Sequence, residues 1–482
     1  MKKYLPYIFV IISAVFFITD IFSKLYYSPD DTYIYLQYAR NFAHGCGFSF
    51  NAGEPSYGIT SPLWAVIASI PYLFSFEGYW FVKFIDLFFA VFSIYIFYRL
   101  AKLVLKGSEE RKMLSMLAVS IFILNTWFIR WAFTGMETSL AVYMMLAVFY
   151  DYLKGRYNTA FLLIGFFYLI RPEAVVLFAV LIIHYFIKTK NVKGLLINCV
   201  LALLPVLPFL IYAKIAFGTL VPNTAIGKTS FNFGITVYYL QLKRILQTIA
   251  LSSVIEIILS AGLIIYIAAK KKFDESLLFI LWIAGLIALY LITDSDIISR
   301  YLLIMIPVFT LLAVKFVSNI KFNKYVMAVI LFVIIAVQSQ AVFFIYIKPH
   351  TDNFTKGIET SLKEIGMWIN NSTPQNSKIL VNDVGAIGYY SRRYLVDAGA
   401  LVNHDLELNK NIMTTPLEER EVTYNLLKYT NADYVVQREK DSTGSNIQFQ
   451  NKTLQFIFSK EFPGLGISDP TPKWYKVYKV EH

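Results

Sequence analysis

Ser28-Pro29-Asp30-Asp31-Thr32-Tyr33-Ile34 follows directly on an apolar run that fills residues 5–22. At about 1.5 Å per helical residue, that run is long enough to cross a bilayer. Two adjacent carboxylates therefore stand where a first span meets water. Local chemistry offers them a structural role: Ser28 suits a helix N-cap, Pro29 the first helical position, and Asp31 a capping-box-like spacing. Capping needs only one carboxylate, however, and an acid at a lipid boundary is costly unless it is paired or used. An apolar surrounding also raises a carboxylate's proton affinity and suits it to general-base work.

The rest of the chain agrees with a membrane setting. Of its 482 residues 57% are hydrophobic and 16% are charged, against roughly 25% charged in soluble domains. Long uncharged runs predict a polytopic α-helical membrane protein. Net charge is +12, with Lys and Arg in short runs, as loops at a cytoplasmic face require. No long basic stripe with interleaved aromatics is present, so a nucleic-acid partner is not expected. Cys46 lies in a polar loop and Cys199 in an apolar run, which predicts neither a disulfide nor a cysteine metal site. Met1-Lys2-Lys3 and the run after it, with no small-residue cleavage site, read as a retained first span.

Hydropathy marks further spans at 80–98, 113–129, 138–150, 159–170, 174–187, 196–216, 251–269, 277–292, 302–317 and 325–346, about eleven transmembrane helices in all. The first external loop, 23–79, carries a helical stripe at 33–42. It also carries a short apolar stretch at 62–76, which Pro71 interrupts. Both read as in-plane helices. With that assignment every Lys-rich turn falls on the cytoplasmic side, including Lys188-Lys190-Lys193 and Lys270-Lys271-Lys272. The polar islands fall outside: Gly135-Met136-Glu137-Thr138, Arg171-Pro172-Glu173, Pro222-Asn223-Thr224 with Lys228, and 294–301. The run before Arg171 is short, so its turn should be recessed. A single kinked helix over 159–187 would invert everything downstream and is disfavoured.

Residues 349–482 change character. Ile379-Leu380-Val381, Tyr434-Val435-Val436 and the alternation over 474–480 predict strands, and 360–369 an amphipathic helix. The expected division is a transmembrane domain over 1–348 and an extracytoplasmic α/β domain over 349–482.

Asp30 and Asp31 are the candidate catalytic residues. Arg171, Arg300 and Lys228 are the candidate cations for a lipid-linked phosphate, whose growing charge a guanidinium stabilises bidentately. Their structural alternatives are snorkelling, or pairing of Arg171 with Glu173 and of Arg300 with Asp294 or Asp296. Glu137, Glu173, Asn223, Tyr301 and Tyr57 complete the candidate substrate-binding set, although Glu137 also suits a helix cap and Asn223 a turn. No cofactor motif is found: there is no P-loop, no dinucleotide-binding glycine pattern and no nucleophile elbow. A divalent cation on Asp30, Asp31 and Glu137 is the one metal reading that the carboxylates offer.

Asp30-Asp31-Thr32-Tyr33-Ile34, Tyr38-Ala39-Arg40-Asn41, Asn51-Ala52-Gly53-Glu54 and Gly58-Ile59-Thr60-Ser61-Pro62-Leu63-Trp64 together resemble the first external loop of GT-C glycosyltransferases. The subgroup they look most like is that of the mycobacterial terminal β-arabinofuranosyltransferase. Gly135-Met136-Glu137-Thr138, Arg171-Pro172-Glu173, Pro222-Asn223-Thr224, Ser299-Arg300-Tyr301 and Asp383-Val384-Gly385-Ala386 with Asp397 are similar to motifs of the same subgroup. Gly58-Ile59-Thr60 departs mildly from it. The resemblance implies transfer of a hexosyl or pentosyl unit from a polyprenyl-phosphate donor to a glycan, lipid or protein acceptor. It also implies a cytoplasmic-membrane location with the active site on the extracytoplasmic side. An aspartate of the first loop would be the base, and the motif does not choose between Asp30 and Asp31. A lipid-linked sugar transporter or flippase, a glycan ligase and a silent scaffold are the competing classes.

Overall fold

The computed structural model describes residues 2–108, 110–223, 234–271, 274–294, 297–467 and 469–481. The chain forms two compact units. One comprises Met1–Leu25, Phe84–Phe209 and Thr229–Ile345; the other comprises Tyr26–Lys83, Leu210–Lys228 and Tyr346–His482. Residues 26–83, which hydropathy assigns to a loop of the membrane domain, thus pack in the same unit as the C-terminal sheet.

The first unit is helical among its described residues. Among the described residues, seven helical runs are long and apolar enough to cross a membrane. They are Leu5–Ser23, Tyr79–Val104, Val192–Phe217, Ile235–Lys270, Ser276–Thr293, Ser299–Asn319 and Lys324–Ser372. Leu196, Val200, Leu203 and Leu207 of one such helix are all exposed, an apolar face suited to lipid rather than water. The chain is therefore an integral membrane protein. Thr138–Leu153, Tyr157–Tyr168 and Ala174–Thr189 are apolar but shorter. The last two are separate helices, with the turn at Arg171 between them.

Two spans differ from their hydropathy windows. Residues 113–129 form two helices, Arg111–Leu124 and Thr126–Trp131. Asn125 breaks the run because its side chain caps the second helix, accepting the N–H groups of Trp127 and Phe128 at 3.1 and 3.2 Å. The window at 251–269 is the second half of Ile235–Lys270, which bends at Ser253, where the backbone leaves helical geometry.

The second unit is built on a six-stranded mixed sheet: β1 Lys378–Val381, β2 Tyr394–Asp397, β3 Tyr434–Glu439, β4 Ile447–Phe449, β5 Lys452–Phe462 and β6 Lys473–Glu481. Its order is β2-β1-β3-β6-β5-β4. β1 runs parallel to both neighbours, and the remaining pairs are antiparallel. Leu380, Val396, Val435, Tyr478 and Val480 meet Ile412, Leu426 and Leu427 in its core. The helix Val384–Ser391 connects β1 to β2, and the helices Asp30–Ala43 and Lys363–Ser372 pack against it. The helix Asp30–Ala43 is consequently more deeply buried than an in-plane surface helix: Tyr33, Tyr35, Leu36, Tyr38 and Ala39 are all buried.

Candidate functional site

In the sheet unit, the acidic pair opens the helix Asp30–Ala43. The capping expectation is off by one residue. Pro29 occupies the N-cap position, and no side chain caps this helix. Ser28 instead lies 3.3 Å from the Tyr79 hydroxyl and accepts the Lys83 ammonium at 3.1 Å. Lys83, fully buried, also donates to the Tyr27 carbonyl at 2.7 Å. Asp30 does cap a helix, but a remote one. Its two oxygens accept the N–H groups of Gly385 and Ala386, each at 2.8 Å, in the first turn of Val384–Ser391. A helix N-terminus favours a carboxylate through its unpaired N–H groups and its dipole. Gly385 is required by this approach, because a Cβ there would stand 2.1 Å from the Asp30 carbonyl oxygen.

Asp383, at the N-cap of that helix, accepts the Tyr475 hydroxyl at 2.6 Å and the Arg438 guanidinium at 3.1 Å. Burial pushes the Asp30 carboxyl up to about 7; Asp383 and Asp31 add to this, while the Ala386 and Gly385 N–H groups pull the other way. Asp30 is thus fixed in orientation, with its protonation poised near neutrality. Each of its oxygens retains a second lone-pair direction. Asp397 is a different case. It accepts backbone N–H groups from Gly399, Leu401 and Val402 at 2.7–3.0 Å, so it shapes the loop after β2. The same unit holds Tyr57 and Asn223 together: the Asn223 N–H donates to the Tyr57 carbonyl at 2.8 Å, and the Tyr57 ring stacks on Phe217. Lys228, with Thr224, lies outside the described residues.

The helical unit collects the remaining candidates. Asp86 accepts the N–H groups of Thr134 and Gly135 at 2.8 and 3.2 Å, fixing the loop that presents Glu137. Glu137 is buried and pairs with Arg171 at 2.7 Å. Glu173, the partner expected from local spacing, lies at 3.9 Å and accepts the Tyr290 hydroxyl at 3.2 Å. Arg171 itself is only 4% exposed. Burial opposes its charge, but Glu137 and Glu173 more than offset that and hold it charged. The guanidinium groups of Arg171 and Arg300 lie 4.8 and 5.2 Å from the Tyr301 ring. Five of the predicted residues, Glu137, Arg171, Glu173, Arg300 and Tyr301, therefore share one cluster. Two fixed guanidiniums beside one aromatic ring suit a phosphate.

Sequence reading missed Lys83, Asp86, Arg438 and Tyr475, and it quoted Asp383 within a motif without giving it a role. Lys24 was missed too: it is buried, and burial pulls its ammonium down to about 7. Asp86 carried a usable signal, since an acid inside an apolar span marks a functional or structural contact. Among the described residues no three His, Cys, Asp or Glu side chains are grouped to hold a metal ion. Asp30 instead caps the helix Val384–Ser391, and Glu137 pairs with Arg171.

The geometry can be set beside known proteins. A sequence-family profile described as a domain of unknown function (DUF8728) matches residues 352–478. No curated protein matches the chain. Among solved structures, ArnT from Cupriavidus metallidurans bound to undecaprenyl phosphate is similar. Its TM-score is 0.59 at 13% identity, over 97% of each chain. The oligosaccharyltransferase AglB from Archaeoglobus fulgidus, in complex with an inhibitory peptide and a dolichol-phosphate, gives 0.56 at 11% identity. That match covers 90% of this chain and 69% of the other. The chain shares its fold with these two proteins. The mycobacterial subgroup that the motifs resemble is not among these structures.

Proposed function

We propose that the chain transfers a hexosyl or pentosyl unit from a polyprenyl-phosphate donor to an extracytoplasmic glycan, lipid or protein acceptor. The observation that carries this reading is the Asp30 carboxylate, held by two backbone N–H groups with its proton affinity raised to about 7. A general base works best with its proton affinity near the working pH. The fold shared with a protein bound to undecaprenyl phosphate and another bound to a dolichol-phosphate supports the donor class.

In this reading Asp30 takes the proton of the acceptor hydroxyl as that oxygen attacks the anomeric carbon. The bond from the anomeric carbon to the phosphate oxygen breaks, and its electron pair leaves with the phosphate. Arg171 and Arg300, with Lys228, balance the charge that gathers there. One displacement inverts the anomeric centre. Asp31 contributes the adjacent charge that helps raise Asp30. Glu137 and Glu173 orient the arginines, while Tyr301, Tyr57 and Asn223 contact substrate. About eleven crossings, with the first loop and the sheet on the extracytoplasmic side, remain part of this proposal.

The test is transfer in purified membranes supplied with synthetic polyprenyl-phosphate sugars. Asp30→Asn should abolish transfer while leaving the protein folded. Transfer that survives Asp30→Asn but not Asp31→Asn moves the base to Asp31; survival in both removes this mechanism. The likeness to an oligosaccharyltransferase favours one second reading, transfer of a whole lipid-linked glycan. Donors of increasing glycan length distinguish the two.

A further inference from the structure

The sheet unit contains a second polar feature, at the other end of the helix that Asp30 opens. Ten residues along that helix, about 15 Å at 1.5 Å per residue, Arg40 lines a cavity of about 660 Å³ together with Arg392, Phe76 and Glu77. Arg40 lies over the Tyr389 ring at 4.8 Å and donates to the Tyr389 carbonyl at 3.3 Å and to Gln37. Those bonds hold the guanidinium in place and leave further N–H donors. The Arg392 side chain is 63% exposed, and its ion pair with Glu77 is loose, at 4.0 Å. Glu77 also accepts the Tyr389 hydroxyl. Burial lowers the Arg40 pKa, and Arg392 adds to that lowering. Two guanidiniums are thus close enough to repel, and a single shared carboxylate faces them.

The wall that carries Phe76 is apolar and open. The helix Pro62–Ser69 continues as a tighter 3₁₀ turn, Ile70–Phe74. Ile70 and Leu73 are one such turn apart and so share a face. They are 43% and 63% exposed, and Phe76, at the cavity, is 69% exposed. Singly, exposed apolar residues need no explanation; an exposed apolar segment that runs into a cationic pocket does. In an integral membrane protein this is the chemistry of an anionic lipid, with acyl chains along the apolar segment and phosphate at the arginines.

We propose that the cavity between Arg40 and Arg392 binds the phosphate of an anionic phospholipid whose acyl chains lie along Ile70, Leu73 and Phe76. The site shares no residue with the cluster at Arg171 and Arg300, and it does not depend on the transfer reaction. An anionic lipid there joins the helix Asp30–Ala43, the segment 70–77 and the loop at Arg392, so it stabilises the unit that carries Asp30.

The test titrates the full-length protein in neutral detergent with phosphatidylglycerol, phosphatidylcholine or glycerol 1-phosphate. Bound lipid is counted by native mass spectrometry, and thermal unfolding is followed in parallel. One phosphatidylglycerol should be retained and should raise Tm. Phosphatidylcholine, whose choline cation offsets its phosphate charge, and glycerol 1-phosphate, which has no acyl chains, should each bind about tenfold more weakly or worse. Arg392→Gln, at an exposed side chain, should cost about tenfold in phosphatidylglycerol affinity. Phe76→Ser should weaken phosphatidylglycerol and leave glycerol 1-phosphate unchanged. Equal binding of phosphatidylcholine, or unchanged affinity in Arg392→Gln, overturns the site. Glycerol 1-phosphate binding as tightly as the lipid makes it a soluble-phosphate site and overturns the lipid. Displacement of the lipid by a uronic-acid oligosaccharide at equal concentration assigns the cavity to an acidic glycan and overturns the proposal.

Discussion

Asp30 serves two partners, the helix N-terminus it caps and the proton it is proposed to take, and pH separates them. An unfolded aspartate titrates near 3.9, whereas this one is pushed up to about 7 by burial, with Asp383 and Asp31 as added negative charges. Between those values the folded chain holds a proton that the unfolded chain has lost. This group's stabilising contribution is therefore full below about pH 4 and is lost as pH rises through about 7. Base function runs the opposite way, so transfer should rise as pH passes through about 7. Asp30→Asn should flatten the stability dependence and remove the rise in rate; a rate profile unchanged by the substitution would show that the titrating group lies elsewhere. The buried Arg171–Glu137 pair gives a second prediction. Glu137→Gln removes the nearer of the two carboxylates that hold the buried guanidinium and should cost up to about 3–5 kcal/mol, read by thermal unfolding in detergent. Arg171→Lys keeps the charge but loses the planar fork beside Tyr301, so it should reduce transfer more than stability. The sequence identified Asp30 and Arg171 as charges but not their contacts. Gly385 and Glu137 are remote in sequence, and local spacing pointed to a cap at Ser28 and a pair with Glu173.

At the scale of elements, hydropathy located apolar segments well and their interruptions poorly. Asn125 is one polar residue in a long apolar run, and window averaging conceals it, although its side chain ends one helix and starts the next. It also donates to Ser253 at 2.8 Å, at the bend of Ile235–Lys270. Asn125→Ala should cost about 1 kcal/mol for the lost cap, measured as a lowered unfolding temperature. In the sheet, β1 and β3 were legible because interior parallel strands read as short apolar runs. β2 was missed because Arg392 and Arg393 precede only four strand residues. β5 was missed because Lys452, Lys460 and Glu461 mark a half-exposed strand without clean alternation.

At the scale of the molecule, fold class was legible from composition, apolar runs and the change of character after the last span. The grouping of residues 26–83 with the sheet was not, because it rests on contacts such as Asp30 with Gly385, which join chain segments more than 350 residues apart. Sidedness can be checked by cysteine labelling in sealed vesicles, after Cys46 and Cys199 are replaced. A cysteine at Lys190 should react only from the cytoplasmic side, and one at Lys440 only from the other. The most direct test of the central claim is single-turnover transfer from a panel of synthetic polyprenyl-phosphate sugars, with wild-type protein and Asp30→Asn in parallel. The expected result is donor-dependent, anomer-inverted product with the wild type and none with the folded variant. Lipid scrambling without product from any donor, or equal product from both proteins, would contradict the account.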